Sequence, residues 1–282
     1  SNLTVAESIG KMISLVTKHP DPLDAAAALG IPAVDGDYAG RAVPEASQCM
    51  TAVSEHSFCP AAIADSWGNG LIMKEAVSAT VAESIGKMIS LVTKHPDPLA
   101  VCGFAAYLIP GAQMKKIVVP GTVSRSLQLG RLIRKSRENG EDPAWAVARA
   151  MEGWVVFRGK VSERRWESTE GYMWGTNVID GAGKHAGKRL EIWFKNEHHL
   201  ARIQGGPILA MSPDIIAIVR AADGEPITNS YLQEGEQVSV IAAPHKVYRT
   251  PQGLAALGPS HFGFDFPYQP VEDLIKKQEG AE

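Results

Sequence analysis

Hydrophobic and polar positions alternate strictly along Arg189–Lys195. Leu190, Ile192 and Phe194 fall on one face, and Glu191, Trp193 and Lys195 on the other. A period of two predicts a half-buried strand, with the first set in a core and Glu191 and Lys195 outside. Comparable runs occur at Trp154–Val161, Leu200–Gln204, Pro207–Met211, Ile215–Val219 and Gln237–Ala242, separated by turn residues such as Gly205-Gly206 and Asp223-Gly224. Closely spaced strands with glycine turns predict a β-sandwich or barrel from residue 153 to about residue 271.

Before residue 152 the period changes. In Thr80–Leu99, Val81, Ile85, Met88, Ile89 and Val92 recur at the spacing of one helical face. Thr80 and Glu83 have capping-box spacing, and His95-Pro96-Asp97-Pro98 stops the helix. This face is expected to meet a core. Thr4–Leu23 reads the same, TVAESIGKMISLVTKHPDPL, letter for letter. Packing constrains pattern rather than identity, so a solenoid is not implied. Residues 1–23 are read as a displaced duplicate of 80–99 outside its native context.

Other helices are expected at Asp24–Leu29, Ser124–Arg137 and Ala144–Met151, the last capped by Asp142 with Pro143 in its first turn. Short strands are expected at Ile31–Val34, Ala61–Ala64, Leu71–Met73 and Val101–Ile109. The fold class is therefore α and β in two domains. An α/β part, incomplete at its N-terminus, spans 24–152, a mostly β domain (sandwich or barrel) spans 153–271, and a charged tail spans 272–282.

Composition narrows the function. Hydrophobic residues are 45% of the 282, and 28 basic against 31 acidic residues give a net charge of −3. That balance argues against nucleic acid as a partner. The charge-free stretch Pro98–Met114 contains Gly and Pro and falls short of the ~20 apolar residues a spanning helix needs, so no membrane association is expected. Three widely spaced cysteines, Cys49, Cys59 and Cys102, suit a reducing compartment. With no basic-then-apolar leader in view, the expected location is the cytoplasm.

The densest chemistry is Asp35-Gly36-Asp37, then Gly40-Arg41 and Pro44-Glu45. Asp35, Asp37 and Glu45 are the candidate catalytic acids. Closely placed carboxylates can divide base and acid roles or hold a divalent metal ion, and both options stay open. Arg41 can clamp a carboxylate or imide oxygen at two points. His56 and Cys59 lack a second ligand pair for zinc. His198 and His199 are adjacent on a strand and so point to opposite faces. The glycines at 181 and 183 lack a following helix, which argues against a phosphate loop.

The stretch from Ile31 to Asp37, with Gly40-Arg41-Ala42 and Pro44-Glu45, resembles the signature of the bacterial S-methyl thiohydantoin desulfurase family. The resemblance continues through Trp67-Gly68-Asn69, Pro110-Gly111-Ala112-Gln113, Phe157-Arg158-Gly159-Lys160, Phe194-Lys195-Asn196-Glu197, Pro213-Asp214, Gly224-Glu225-Pro226-Ile227-Thr228 and Arg249-Thr250-Pro251-Gln252-Gly253. It implies an α/β N-terminal domain, a mostly β C-terminal domain, and hydrolytic chemistry on a small hydantoin- or thiohydantoin-like cyclic amide. It also places Asn196 with Arg41 among the substrate-binding residues. A homo-oligomer is also expected, and the family's context implies the alternative of a non-catalytic partner for a hydantoinase- or oxoprolinase-type protein. The resemblance departs before Asp24, where the family's glycine-rich stretch has no counterpart.

Overall fold

The computed structural model describes residues 30–57, 59–65, 67–93, 102–106 and 111–280, with Leu23, Ala26 and Ala27 besides. The first copy of the repeat up to Pro22, most of the helix expected at 24–29, the proline stop after Thr93 and the ends of the strand expected at 101–109 lie outside the described residues. The chain forms two compact units. One runs to Gly40 and resumes over Glu45–Pro120; the other holds Arg41–Pro44 and Gly121–Glu282. No helix of the described residues is long and apolar enough to cross a membrane.

In the first unit, β1 (Gly36–Asp37) leads to α1 (Met50–Val53), the hairpin β2 (Ala61–Asp65) and β3 (Gly70–Met73), α2 (Ala79–Thr93), β4 (Cys102–Ala106), α3 (Gly111–Ile117) and β5 (Val119–Pro120). β2 is the centre of a three-stranded antiparallel sheet between β3 and β4, and β1 pairs with β5. Ile31–Val34 is not a strand; its residues are exposed, and pairing begins only at Gly36. Pro32 cannot donate to a ladder.

Of the apolar stripe expected to bury α2, Ile89 packs inward, and Val81, Ile85, Met88 and Val92 face outward. Val81 and Ile85 are each 40% exposed, Met88 61% and Val92 71%. The packed side is built mainly of small residues: buried Ala82 and half-buried Ala79, with Ile89 beside them, lie against Ala61, Ile63 and Met73, and Thr93 is also buried. Small side chains let the helix settle close to the sheet, and that proximity outweighs the larger stripe. The cap also differs: Ser78 Oγ, not Thr80, accepts from Val81 N–H, while Glu83 turns away to accept from Ala46 N–H at 2.7 Å.

The second unit opens with α4 (Thr122–Glu138) and α5 (Pro143–Ala150). Asp142 Oδ1 caps α5 through Ala144 N–H at 3.0 Å, with Pro143 in the first turn as its fixed φ favours. Seven strands follow: β6 (Trp154–Thr169), β7 (Tyr172–Gly181), β8 (Arg189–Lys195), β9 (Glu197–Ile203), β10 (Ile208–Met211), β11 (Ile215–Arg220) and β12 (Gln237–Ala243). They make one curled antiparallel sheet, a half-barrel, in the order β10-β9-β8-β7-β6-β12-β11. Leu190, Ile192 and Phe194 are fully buried, as their alternation predicts. The core they enter includes Phe157, Ile179, Ile218 and Val240, and each such side chain contributes roughly 1.5–3 kcal/mol by leaving water.

Lys195, expected outside, is buried: its ammonium lies 4.2 Å from the Tyr172 ring centre and 4.6 Å from that of Trp174, its cross-strand partner. The aromatic faces attract the cation, and its stem packs as an apolar side chain. α4 and α5 add a smaller cluster in which Ile133, Ala144 and Val147 meet Val155, Val219 and Ile241. Gly224 holds a left-handed φ of 71°, and a Cβ there would sit 2.4 Å from Pro143, so the turn after β11 requires glycine. After α6 (Pro251–Leu257), the segment expected as a charged tail is a helix, α7 (Val271–Glu279). Its Val271, Leu274 and Ile275 are buried at i, i+3 and i+4.

Candidate functional site

The acidic segment separates into parts with different tasks. Asp35 and Asp37 are both exposed. Asp37 Oδ1 accepts from the N–H groups of Ala39 at 2.7 Å and Gly40 at 2.5 Å, which closes a tight turn. Its Oδ2 bonds to no described residue. Glu45 caps the short 3-10 turn Ala46–Gln48: its carboxylate accepts from Gln48 N–H, and Gln48 Oε1 accepts from Glu45 N–H at 3.1 Å. Ser47 Oγ adds a hydrogen bond to the same carboxylate at 3.1 Å. Nearby Cys49 is pushed up to about 11 by burial, reinforced by the carboxylates of Glu83 and Asp37. It stays a thiol at neutral pH and is a poor nucleophile. His56 and Cys59 line a cleft of about 310 Å³ in the same unit. Among the described residues, no three His, Cys, Asp or Glu side chains converge as metal ligands.

Arg41 belongs structurally to the second unit. Its guanidinium donates to the carbonyls of Pro213 at 2.7 Å, Asp214 at 3.1 Å and His198 at 3.4 Å, and Nε donates to Ala42 at 3.1 Å. Burial lowers its pKa, opposed by Glu197, Tyr248 and Asp214. The fork expected to grip a substrate carbonyl thus grips main-chain carbonyls, which ties residues 41–44 to β9 and to the turn before β11.

Asn196, in the turn between β8 and β9, has a left-handed φ of 55°. Its side-chain oxygen accepts from Met173 N–H at 2.8 Å, and its carbonyl accepts from Asn229 Nδ2 at 2.6 Å. His198 and His199 do point to opposite faces. His198 lies between Asn229 Oδ1 at 2.9 Å and the Ile216 carbonyl at 3.2 Å. His199 contacts Ser212 Oγ at 3.0 Å and stacks on Phe262 at 3.9 Å. Burial lowers His198 to about 4 and His199 well below its usual value, so both are neutral.

Two features are not anticipated by the sequence. The first is the fully buried Asp214. Its carboxylate accepts from Arg249 at 2.9 and 3.0 Å, Tyr268 hydroxyl at 2.8 Å, Val271 N–H at 2.8 Å and His245 N–H at 2.9 Å. Arg249 also holds Glu272 at 2.7 Å, which lowers the Glu272 pKa. Asp214 and Arg249 stand in quoted motifs, but 35 residues of separation hide their pairing. The second is a cleft of about 410 Å³ within this unit, walled by Trp154, Phe157, Leu209 and Ile275 and rimmed by Lys184 and Lys188. The available signal was the two lysines in a glycine-rich turn.

This architecture is an α and β protein of two units whose larger unit is a curled antiparallel sheet. Residues 98–271 match the S-Me-THD-like C-terminal domain, and residues 17–75 match the S-Me-THD-like N-terminal domain. The chain belongs to this S-methyl thiohydantoin desulfurase-like family. A crystal structure of a protein from Chromobacterium violaceum is similar over 88% of this chain and 68% of its own, with a TM-score of 0.69 and 23% identity, a likeness of fold. No curated protein matches.

Proposed function

We propose that the protein is an enzyme that exchanges sulfur for oxygen on a small thiohydantoin-like ring, using the acids of the 35–45 segment. Water adds to the ring carbon that carries the S-methyl group, and the C–S bond breaks. The oxygen becomes the ring carbonyl, and the two protons of water end on the ring nitrogen and on the departing methanethiol. Asp37 acts as the general base. One of its oxygens is fixed by two N–H groups, so the other is presented in one orientation, as proton transfer requires. Asp35, two residues earlier, is also exposed. Glu45 and Arg41 are positioning residues that hold the chain on either side of the turn, and Asn196 fixes the β8–β9 turn.

The observation that supports this reading most is the pinned Asp37 carboxylate inside the portion matched by the family's N-terminal domain. Asp37→Asn keeps an Oδ1 that can accept both N–H groups but removes the base. Methanethiol release from an S-methyl thiohydantoin, followed with a thiol reagent, should fall by at least ~10²-fold in this variant, with an unchanged melting curve. Full turnover by Asp37→Asn would remove Asp37 from the mechanism, and no release by the unaltered protein would remove the reaction.

A further inference from the structure

The 410 Å³ cleft of the second unit has no part in the chemistry proposed for Asp37. We propose that it is a binding site for a small aromatic carboxylate. The volume is that of a small-molecule pocket rather than a packing defect. Its walls offer Trp154 and Phe157 with Leu209 and Ile275, an apolar slot able to hold one ring.

One rim is cationic and rigid. Lys184 and Lys188 project from the β7–β8 turn, which is held by Gly181 N–H to the Lys188 carbonyl at 2.8 Å and Ala182 N–H to the Arg158 carbonyl at 2.9 Å. His185 of the same turn stacks on Phe157 with ring centres 4.6 Å apart, and its Nδ1 accepts from Arg158 N–H at 3.2 Å. Gly181 lets the turn fold this closely: a Cβ would sit 1.9 Å from the His185 carbonyl oxygen. Neither lysine forms an ion pair with a described residue, and Glu279, which also lines the cleft, is not within salt-bridge distance of either. The second polar signal is Gln278 of α7. It lines the cleft, and its Nε2 is buried with no hydrogen-bond partner among the described residues. A buried donor without a partner costs free energy unless a ligand or water completes it. Two ammonium groups and one unmet amide donor around an aromatic slot recognise a ring that carries a carboxylate.

The probe is 3-(4-fluorophenyl)propionate, titrated into the full chain and followed by fluorine NMR, beside the isosteric 3-(4-fluorophenyl)propanamide. The carboxylate should bind saturably, and the amide at least about tenfold more weakly. The exposed pair Lys184→Gln/Lys188→Gln should lose about tenfold for the carboxylate and leave the amide unchanged. Leu209→Trp, which fills the slot, should abolish both; because a core change can disturb the fold, its melting curve and that of Trp154→Ala are read alongside. Equal binding of acid and amide, indifference to the lysine pair, binding that survives in a folded slot variant, or no saturable binding would each overturn the proposal.

Discussion

The half-barrel and the three-stranded sheet with its helix α2 reward different readings. In the half-barrel, burial follows residue size: Leu190, Ile192 and Phe194 are sealed, and their neighbours on the strand face the other way. Around α2 the relation largely reverses: Ala82 is buried and Ala79 packs beside it with Ile89, while Val81, Ile85, Met88 and Val92 stand in the open. A strand has two faces and one phase, so a hydrophobic face leaves little choice. A helix can turn about its axis, and close approach through small residues competes with burial of large ones. The lesson is that periodicity reports which residues share a side, not which side is inside.

The sharpest break of this contrast is at Asp214. Its carboxylate satisfies two backbone N–H groups, Arg249 and Tyr268 at zero exposure, so Asp214→Ala leaves the Tyr268 hydroxyl and the N–H groups of His245 and Val271 without their acceptor, and Arg249 with Glu272 as its remaining carboxylate. A loss of roughly 3–5 kcal/mol is expected in urea unfolding of the second unit; less than 1 kcal/mol would show that the network is not integral to the fold.

Acid should weaken the same unit by a smaller amount. His198 is held near 4 when folded and titrates near 6.5 when unfolded. The unfolded chain then binds the extra proton between those values, so stability is complete above pH 6.5 and declines toward pH 4, by on the order of 3 kcal/mol. His199 acts in the same direction. Glu272, depressed by Arg249, adds a loss below its ordinary carboxylate range. Unfolding midpoints at stepped pH check this, and a flat profile from pH 7 to 4 would refute the buried, neutral histidines.

The smallest effect tests the contrast most directly. Ile192→Val should cost about 1 kcal/mol, and Ile85→Val, on the open side of α2, should stay within about 0.5 kcal/mol. Equal costs would mean that the α2 stripe is covered after all.

Legibility in the sequence followed the same line. Six of the seven strands from Trp154 to Ala243 were readable because alternation and glycine turns are local signals; β7, at Tyr172–Gly181, was not among them. The α5 cap was readable for the same reason: Asp142 and Pro143 are neighbours. The direction of α2, the burial of Lys195 and the docking of α7 were not, because each depends on a partner distant in the chain: Ala61 and Ile63, Tyr172 and Trp174, Met211 and Leu200. In the candidate site, the residues Asp37, Glu45 and Arg41 could be picked out from their types. That Glu45 caps a turn and Arg41 donates to the carbonyls around residue 213 could not.

Arg41 carries a consequence for anyone who wishes to divide this protein. The family's two matched portions place residue 41 in the N-terminal one, at 17–75, yet its side chain completes the carbonyl shell of His198, Pro213 and Asp214 in the other. A fragment cut at residue 121 would therefore be an unfinished domain, with three carbonyl oxygens exposed where a guanidinium belongs. The unit of design here is the half-barrel together with its borrowed tetrapeptide, Arg41–Pro44. A stable isolated domain would carry that segment grafted at its own N-terminus or supplied as a separate strand of chain.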